Sequence, residues 1–176
     1  MSGQAGRYQR SAGGMVGAMV VMVVLLVAWV GFRSLTTQEP DNPVRTVDYA
    51  QVVGPARKAA PFDLVAPPTL PAGWRATSVD FNDQSQPRWH LGVLTDQKRY
   101  VGLEQSERPV RQMVHQYVDK DASRGAPVRV AGSSWSTYTD AGGDLALVRR
   151  DGTTTTLVVG HDVPRGQLLA YTAGLR

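Results

Sequence analysis

The sequence predicts an α+β protein: an antiparallel sheet of about six to seven strands with two packed helices, preceded by one N-terminal transmembrane helix. Three observations support this fold class. One uncharged apolar block lies near the N terminus, short apolar segments bounded by Pro, Gly and Asp follow it, and only two later segments have a helical period. Strands and helices do not alternate, which favours an antiparallel sheet over a parallel βαβ sheet.

The apolar block runs from Gly13 to Phe32, with Arg10 before it and Arg33 after it. About 20 apolar residues at 1.5 Å per residue match the ~30 Å hydrocarbon core of a bilayer. The block contains no charged residue, and Trp29 and Phe32 lie where an interfacial aromatic belt is expected. It is therefore predicted to insert into a membrane.

This block could be a cleaved leader, a retained anchor or a buried core helix. A cleavable signal has a shorter core of about 7–15 residues and a small-x-small site. Here Ser34-Leu35-Thr36 is only a poor imitation of such a site. A helix that is apolar on every side does not suit the core of so small a domain. The sequence therefore favours an uncleaved anchor.

Lys and Arg residues near the two ends of the anchor are equal in number, so the positive-inside rule does not decide its orientation. The order of the segments along the chain is used instead. A short basic tail followed by an apolar run and a long domain matches an export signal left uncut. The N terminus is thus predicted to be cytoplasmic, in the cell membrane. The predicted division is a cytoplasmic tail at 1–12, a transmembrane helix at 13–32, a tether at 33–60 and an extracytoplasmic α+β domain at 61–176.

Two further features concern the anchor and the tether. Gly13 and Gly17 form a Gly-x-x-x-Gly pair, which lets two membrane helices approach closely, although a segment rich in small residues also contains such pairs by chance. In the tether, "TTQEPDNP" is polar and rich in proline, so no regular element should start there. The amphipathic stretch after it, interrupted by Pro55, is expected either to lie against the domain or to act as a spacer.

The first strands of the domain are predicted in "FDLVAP", residues 62–67, and "WRATSVDF", residues 74–81. Alternation divides the second strand into two faces. Trp74, Ala76, Ser78 and Asp80 are expected on one face, and Arg75, Thr77, Val79 and Phe81 on the other.

A hairpin is predicted from "RWHLGVLT", residues 88–95, and "RYVGLEQS", residues 99–106. Its register follows from matching the apolar faces of the two strands, because a slip of one residue would expose them. The predicted pairs are Leu91 with Leu103, Val93 with Val101, His90 with Glu104, and Gly92 with Gly102.

The remaining chain supplies two helices and three strands. A stripe of apolar residues predicts a helix from Pro109 to Gly125, and a second helix is expected near Pro164, capped by Asp162. The strands are predicted at 127–139, 144–150 and 153–160, the last two joined by a hairpin at Asp151-Gly152. The first helix should bury Val110, Met113, Val114, Tyr117 and Val118, and the second Leu168, Leu169, Thr172 and Leu175.

Composition argues against several functions. Of the formal net charge of +4, Arg7 and Arg10 carry half, and the rest of the chain is too balanced in charge for a nucleic-acid surface. The chain has no cysteine, which excludes disulfides and thiolate ligands, and its three histidines, His90, His115 and His161, lack metal-ligand spacing. No metal, cofactor or nucleic-acid partner is therefore predicted.

Candidate site residues lie in the sheet. His90 opposite Glu104 is the main candidate for chemistry, because a carboxylate alters the protonation of a neighbouring imidazole, although an exposed cross-strand pair would look the same. "GSSWS" lacks the Gly-x-Ser-x-Gly pattern of a nucleophile elbow. Trp74, Trp89 and Trp135 could line a binding groove, but tryptophans on strands more often fill a core.

Several segments together carry a family resemblance. They are "RYQRSAGGMVGAMVVMVVLLVAW", "PVRTVDY", "APPTLPAGWRATSV", "RWHLGVLT" and "RYVGLEQS". In this order they resemble an actinobacterial family of single-pass membrane proteins, domain of unknown function 4245. The resemblance implies a retained membrane helix and an extracytoplasmic domain in an actinobacterial envelope. It implies no activity, cofactor or catalytic residue.

The function expected from the sequence is that of a membrane-anchored extracytoplasmic binding or scaffolding module of the cell envelope, without catalysis. Its expected partners are the membrane and either an envelope protein or a second copy of the chain. One alternative is a subunit of a signalling or assembly complex that pairs through the membrane helix. A second alternative is an envelope hydrolase, which would require His90 and Glu104 to lie within hydrogen-bond reach and at a pocket.

Overall fold

The structure is a computed structural model that describes residues 12–36 and 45–176. The chain forms two compact units, Met1–Pro43 and Val44–Arg176. The second unit begins before the predicted domain boundary at residue 61. The tether predicted at 33–60 is therefore too long at its C-terminal end, and residues 45–60 belong to the folded unit.

The described residues of the first unit form α1, a helix that spans Ala12–Thr36 and has 25 residues. Every described side chain from Met15 to Trp29 is exposed, and the large apolar ones among them are 51% to 76% exposed. Within the described residues, no helix is both long and apolar enough to cross a membrane. The membrane placement of residues 13–32 stays a prediction.

The second unit is an antiparallel sheet with helices packed on it, which confirms the predicted class. The described residues of this unit form eight strands instead of six to seven, and three helices instead of two. The helices are α2 (Ala50–Ala59), α3 (Val110–Tyr117) and α4 (Arg165–Ala173). The strands are β1 (Arg75–Asn82), β2 (Arg88–Leu94), β3 (Tyr100–Ser106), β4 (Ser123–Arg124), β5 (Val128–Val130), β6 (Ser133–Thr139), β7 (Leu145–Asp151) and β8 (Thr154–Gly160).

The strand order is β1-β2-β3-β8-β7-β6-β4, and β5 pairs with β6 beside this path. All pairings are antiparallel. The central hairpin of β2 and β3 has the predicted register, and all four predicted pairs are present, including His90 with Glu104. Matching the apolar faces was sufficient to predict this register, because one face of both strands is fully buried.

The main hydrophobic core lies on one face of the sheet. Trp89, Leu91 and Leu103 are completely buried there, and burial of each such side chain contributes about 1.5–3 kcal/mol. α2 packs against β1, and α4 packs against β5 and β8. α2 adds Ala56 to this core, which explains why residues 45–60 belong to the folded unit.

The opposite face is partly covered by α3, which packs on β7 and β8. Met113 and Val114 contact a second apolar cluster on these strands, as the predicted stripe required. α3 ends at Tyr117, eight residues before the predicted exit at Gly125. Val118 leaves the helical region with φ −122° and ψ −85°, and Ser123–Arg124 then pairs with β6 as β4.

The strand predicted at 62–67 is absent. Ala66 exchanges two backbone hydrogen bonds with Arg176, and a side chain bonds the backbone nearer the start of the segment. Gln105 Oε1 accepts a hydrogen bond from Val65 N at 2.8 Å, and Gln105 Nε2 donates to Asp63 O at 3.2 Å. Leu64, between these two residues, is buried in the core.

The strand predicted at 127–139 is two strands joined by a tight turn. Ala131 and Gly132 both have positive φ, 47° and 82°, so the chain reverses between β5 and β6. Two consecutive positive φ values are typical of a type I′ hairpin turn. The prediction missed the turn because Ala-Gly is a weaker signal than Asn-Gly.

The last helix begins at Arg165 after Pro164, without a side-chain cap. Asp162 is therefore not the cap that was predicted. Its backbone has φ 58°, and its carbonyl accepts a hydrogen bond from Arg99 Nη1 at 2.6 Å. The predicted inward face is present, since Leu168 and Thr172 are buried.

The turn between β5 and β6 gives a stability prediction. Ala131→Asn should raise the free energy of unfolding by about 0.5–1 kcal/mol, because Asn tolerates positive φ better than Ala. Urea unfolding of the full chain in mild detergent, followed by tryptophan fluorescence, measures this. Ala141→Asn is the matched control, since Ala141 lies in a turn but has no positive φ. Equal effects of the two substitutions would contradict the assigned turn.

Candidate functional site

The site begins with the pairing of β2 and β3. Because side chains alternate along a strand, the residues that send Trp89 and Leu91 into the core also send His90 to the other face. There His90 Nδ1 contacts Glu104 Oε1 directly. The Glu104 side chain is 4% exposed and the His90 side chain is 21% exposed. The imidazole thus lies between a buried carboxylate and the surface.

A β-bulge brings a third residue to this pair. Ala76 pairs with Val93, but Ser78 pairs with Gly92, so Thr77 is an extra residue on β1. The bulge moves Ala76 to the core face, whereas Ser78 faces His90. The predicted faces of β1 are therefore wrong for Ala76, because alternation does not continue through a bulge.

Ser78 Oγ lies 2.8 Å from His90 Nε2. An ionised carboxylate only accepts hydrogen bonds, so His90 Nδ1 donates to Glu104. In a neutral imidazole, Nε2 then carries the lone pair and accepts the Ser78 hydroxyl proton. Ser78, His90 and Glu104 form a directed chain of hydrogen bonds from three neighbouring strands.

Glu104 is incompletely satisfied. Its second oxygen, Oε2, is buried and has no hydrogen-bond partner within the described part of the chain. A buried carboxylate is costly unless it is paired. The contact with His90 is therefore the main compensation for the burial of Glu104.

Two glycines leave room for Tyr100 beside the hydrogen-bonded Ser78, His90 and Glu104. A β-carbon on Gly92 would collide with Ser78 Oγ and would lie 3.0 Å from the Tyr100 hydroxyl oxygen. One on Gly102 would lie 3.2 Å from the Tyr100 ring. The Tyr100 ring thus lies over the pair of glycines, with its hydroxyl near Ser78. Burial, and then the charge of Glu104, raises the pKa of Tyr100 to about 12.

A second histidine–carboxylate pair lies farther along the same part of the sheet. His161 Nδ1 contacts Asp144 Oδ2, and the His161 ring is 5.4 Å from the Tyr100 ring between centroids. His161 is more exposed than His90, at 45% of its side chain. Within the described residues, no group of three or more His, Cys, Asp or Glu side chains could hold a metal ion.

The three tryptophans proposed for a groove lie elsewhere. Trp89 is fully buried and Trp135 is 3% exposed, so both belong to the core and not to a binding surface. Arg149 lies over the Trp135 ring, 5.2 Å from its centroid. Trp74 is half-buried and stacks on Tyr171, with ring centroids 5.7 Å apart. Of the five candidate surface residues, only His90 and Trp74 are substantially accessible.

The predicted anchor residues belong to α1. Trp29 and Phe32 are each 65% exposed. Gly17 has open space around it, because an added β-carbon would meet nothing within 4 Å. Gly13 lies in α1, but its surroundings fall outside the described residues, so the Gly13–Gly17 pairing stays a prediction.

Cavities occur at other places in the domain. One of about 220 Å³ lies where β3 meets α3, beside Arg108. Another of about 500 Å³ lies between α2 and β1, beside Val52 and Phe81. Neither of these two cavities is lined by Ser78, His90 or Glu104. His90 and Glu104 lie within hydrogen-bond reach, which meets one of the two requirements of the hydrolase alternative. These two cavities do not enclose the pair, so they do not provide the pocket that was the other requirement.

Sequence reasoning found His90 and Glu104 but missed three contributors. Ser78 was missed because its approach to His90 depends on the bulge at Thr77. Tyr100 could have been found, since alternation along β3 places it on the face of Glu104. Asp144 directly precedes β7 and His161 directly follows β8, so their contact joins the start of one strand to the end of the next. No local sequence pattern predicts this contact.

Comparison with protein families gives a match. A family model described as "Protein of unknown function (DUF4245)" matches residues 7–172. No curated protein matches the chain. The family description carries no activity, so function has to be argued from the residues above.

The crowding at Gly92 gives a prediction about the site. Gly92→Ala should lower the free energy of unfolding by about 1–3 kcal/mol, because its β-carbon collides with Ser78 Oγ and crowds Tyr100. Adding Ser78→Ala should recover part of this loss by removing the colliding oxygen. Gly166→Ala in α4, where the added β-carbon meets nothing, is the control and should not destabilise. Urea unfolding measures all three variants against the wild type, and an unaffected Gly92→Ala would refute the arrangement.

The raised pKa of Tyr100 gives a prediction about pH. Its pKa is about 12 in the folded chain and 10.0 without the fold. The folded state therefore holds the proton more tightly, and its contribution to stability is complete below pH 10 and is lost as pH rises towards 12. Thermal unfolding at pH 9 to 12 should show a smaller loss for Tyr100→Phe than for the wild type. Tyr138→Phe is the control, and identical curves for wild type and Tyr100→Phe would contradict the burial of this hydroxyl.

Proposed function

The chain belongs to the DUF4245 family of proteins of unknown function, and from its own residues we propose that it is a membrane-anchored binding module of the cell envelope. In this proposal α1 is the anchor and the unit Val44–Arg176 is the extracytoplasmic binding domain. The observation that carries the proposal is the uniform exposure of apolar side chains on α1.

An apolar helix of this kind needs a non-aqueous environment. The large side chains of α1 from Met15 to Trp29 are aliphatic, thioether or aromatic, and all are more than half exposed. A soluble protein seldom exposes so large a continuous apolar surface. A helix that is apolar all round is typical of a membrane span. Insertion of Gly13 to Phe32 would remove this surface from water.

The second unit suits a role outside the membrane. It has its own hydrophobic core, formed by β-strands and by α2 and α4. It contains no cysteine and so does not depend on the redox state of its compartment. Anchoring such a unit to the outer face would hold its sheet near other envelope components.

The proposed binding surface is the face of β1, β2 and β3 that carries His90. Ser78, His90 and Tyr100 are each half-buried there, and Asp80 and Arg88 form an exposed ion pair next to them at 2.8 Å. Polar groups supported by buried partners are suited to recognition, because their positions are already set before a ligand binds. The Gly13–Gly17 spacing supports a second candidate role, helix pairing within a membrane complex.

Labelling of introduced cysteines tests this proposal, since the natural chain has none. Gln4→Cys, Asp80→Cys and Lys120→Cys are made singly in the full chain and treated with a membrane-impermeant maleimide. Asp80→Cys and Lys120→Cys should react in intact cells, whereas Gln4→Cys should react only after lysis. The wild-type chain is the control for background.

The same variants test binding. A thiol-linked photo-crosslinker at position 80, beside His90, should capture a defined envelope component that the same reagent at position 120 does not capture. Reaction of Gln4→Cys in intact cells, or recovery of the whole chain in the soluble fraction, would refute the anchored orientation. Equal crosslinking at both positions would refute the assigned binding face.

A further inference from the structure

The geometry of Ser78, His90 and Glu104 satisfies the requirements for an activated nucleophile. Such a site needs a hydroxyl within about 2.6–3.2 Å of a base, and a third group that orients the base. Ser78 Oγ is 2.8 Å from His90 Nε2, and Glu104 holds the other ring nitrogen. Glu104 is buried and comes from a central strand, so it provides a rigid support for the imidazole.

The second histidine of this region provides a comparison. His161 also contacts a carboxylate, Asp144, but the described residues offer no hydroxyl to its other ring nitrogen. Its neighbour is the Tyr100 ring. Only the His90 pair is therefore completed by a serine, and the Gly92 backbone leaves space at that serine.

Tyr100 supplies the remaining part of such a site. Its hydroxyl borders the space above Gly92 that Ser78 Oγ also borders. Within the described residues this hydroxyl makes no hydrogen bond, so it is free to donate one to a bound molecule. Its raised pKa keeps it protonated at neutral pH. A fixed donor near the nucleophile can stabilise the oxyanion of an acyl-transfer reaction.

We infer that Ser78, His90 and Glu104 form an acyl-transfer site that cleaves carboxylic esters, with Ser78 as the nucleophile. This activity goes beyond the proposed binding function. It takes up the hydrolase alternative with Ser78 added as the nucleophile, but without the pocket which that alternative required, because neither of the two cavities described above encloses the triad. Ser78 and His90 are the catalytic residues, Tyr100 is the oxyanion donor and Glu104 is a positioning residue.

The reaction follows from the hydrogen-bond directions. Ser78 Oγ forms a bond to the ester carbonyl carbon while His90 Nε2 takes the hydroxyl proton, and Tyr100 donates to the resulting oxyanion. The carbon–alkoxide bond then breaks, the proton passes from Nε2 to the alkoxide, and an alcohol leaves. Water next attacks the acyl-serine, giving its proton to Nε2. The carboxylic acid departs as Ser78 Oγ recovers a proton from Nε2.

An ester is the substrate class that this site favours. The triad does not line the cavities beside α3 and α2, so the reacting group contributes more to selection than a deep pocket. An alkoxide leaves more readily than the anion of an unprotonated amide nitrogen, and a single side-chain donor is a modest oxyanion site. A half-buried triad outside these cavities is therefore better suited to esters than to peptides.

The test uses the full chain in mild detergent and a fluorophosphonate probe, which phosphonylates activated serines with loss of fluoride. Peptide mass spectrometry should find the label on Ser78. His90→Gln should slow labelling about 100-fold or more, because the general base is lost. Ser134→Ala, which removes an exposed serine on β6, should leave labelling unchanged.

A second measurement follows p-nitrophenyl acetate hydrolysis. Ser78→Ala should abolish turnover, and Tyr100→Phe should lower kcat about 100-fold. Glu104→Gln should lower kcat with KM nearly unchanged, which a purely structural role would not produce. Thermal unfolding checks that each variant is folded. Ser78→Ala removes a single oxygen atom and is therefore the variant least expected to disturb the fold.

Two results would overturn the inference. The first is labelling of Ser78 no faster than that of Ser134. The second is equal hydrolysis of the ester by wild type and Ser78→Ala. Either result would leave the anchored binding module standing, because the cysteine experiment does not depend on the serine.

Discussion

The register of β2 against β3 is the constraint on which the rest of the domain depends. Leu91 and Leu103 are paired and completely buried, so a slip of one residue would expose an entire apolar face. The same register brings His90 opposite Glu104 on the other face. Hydrophobic burial on one side of the sheet therefore positions the polar chemistry on the other side.

The bulge at Thr77 adds the second constraint. It lets Ala76 and Val79 both face the core, although residues three positions apart face opposite sides of a regular strand. The extra residue leaves Ser78 on the His90 face, close enough for a hydrogen bond. Bulges often re-aim a side chain next to a functional site, and this one aims a serine at an imidazole. The glycine at position 92 is then required, because any β-carbon there would displace that serine.

Some features of this fold could be predicted from local sequence patterns and others could not. The hairpin register and the stripe of α3 were predictable, since each follows from one buried apolar face. The bulge at Thr77 and the turn at Ala131-Gly132 were not, because Thr is not typical of a bulge and Ala is not typical of a turn position with positive φ. The segment 62–67 looked like a strand because it is a short apolar run ended by proline, but two of its backbone groups are bonded by the Gln105 side chain, a long-range contact that no local pattern predicts.

The sheet aligns Ser78, His90 and Glu104 in one series of hydrogen bonds. Nitrogen-15 NMR of the three histidines in the full chain, assigned with His90→Gln, tests this alignment most directly. We expect the His90 ring to have one tautomer, protonated at Nδ1, with a slowly exchanging proton that Glu104→Gln shifts and Ser78→Ala leaves in place. A His90 ring with averaged tautomers and rapid proton exchange, like that of exposed His115, would contradict it.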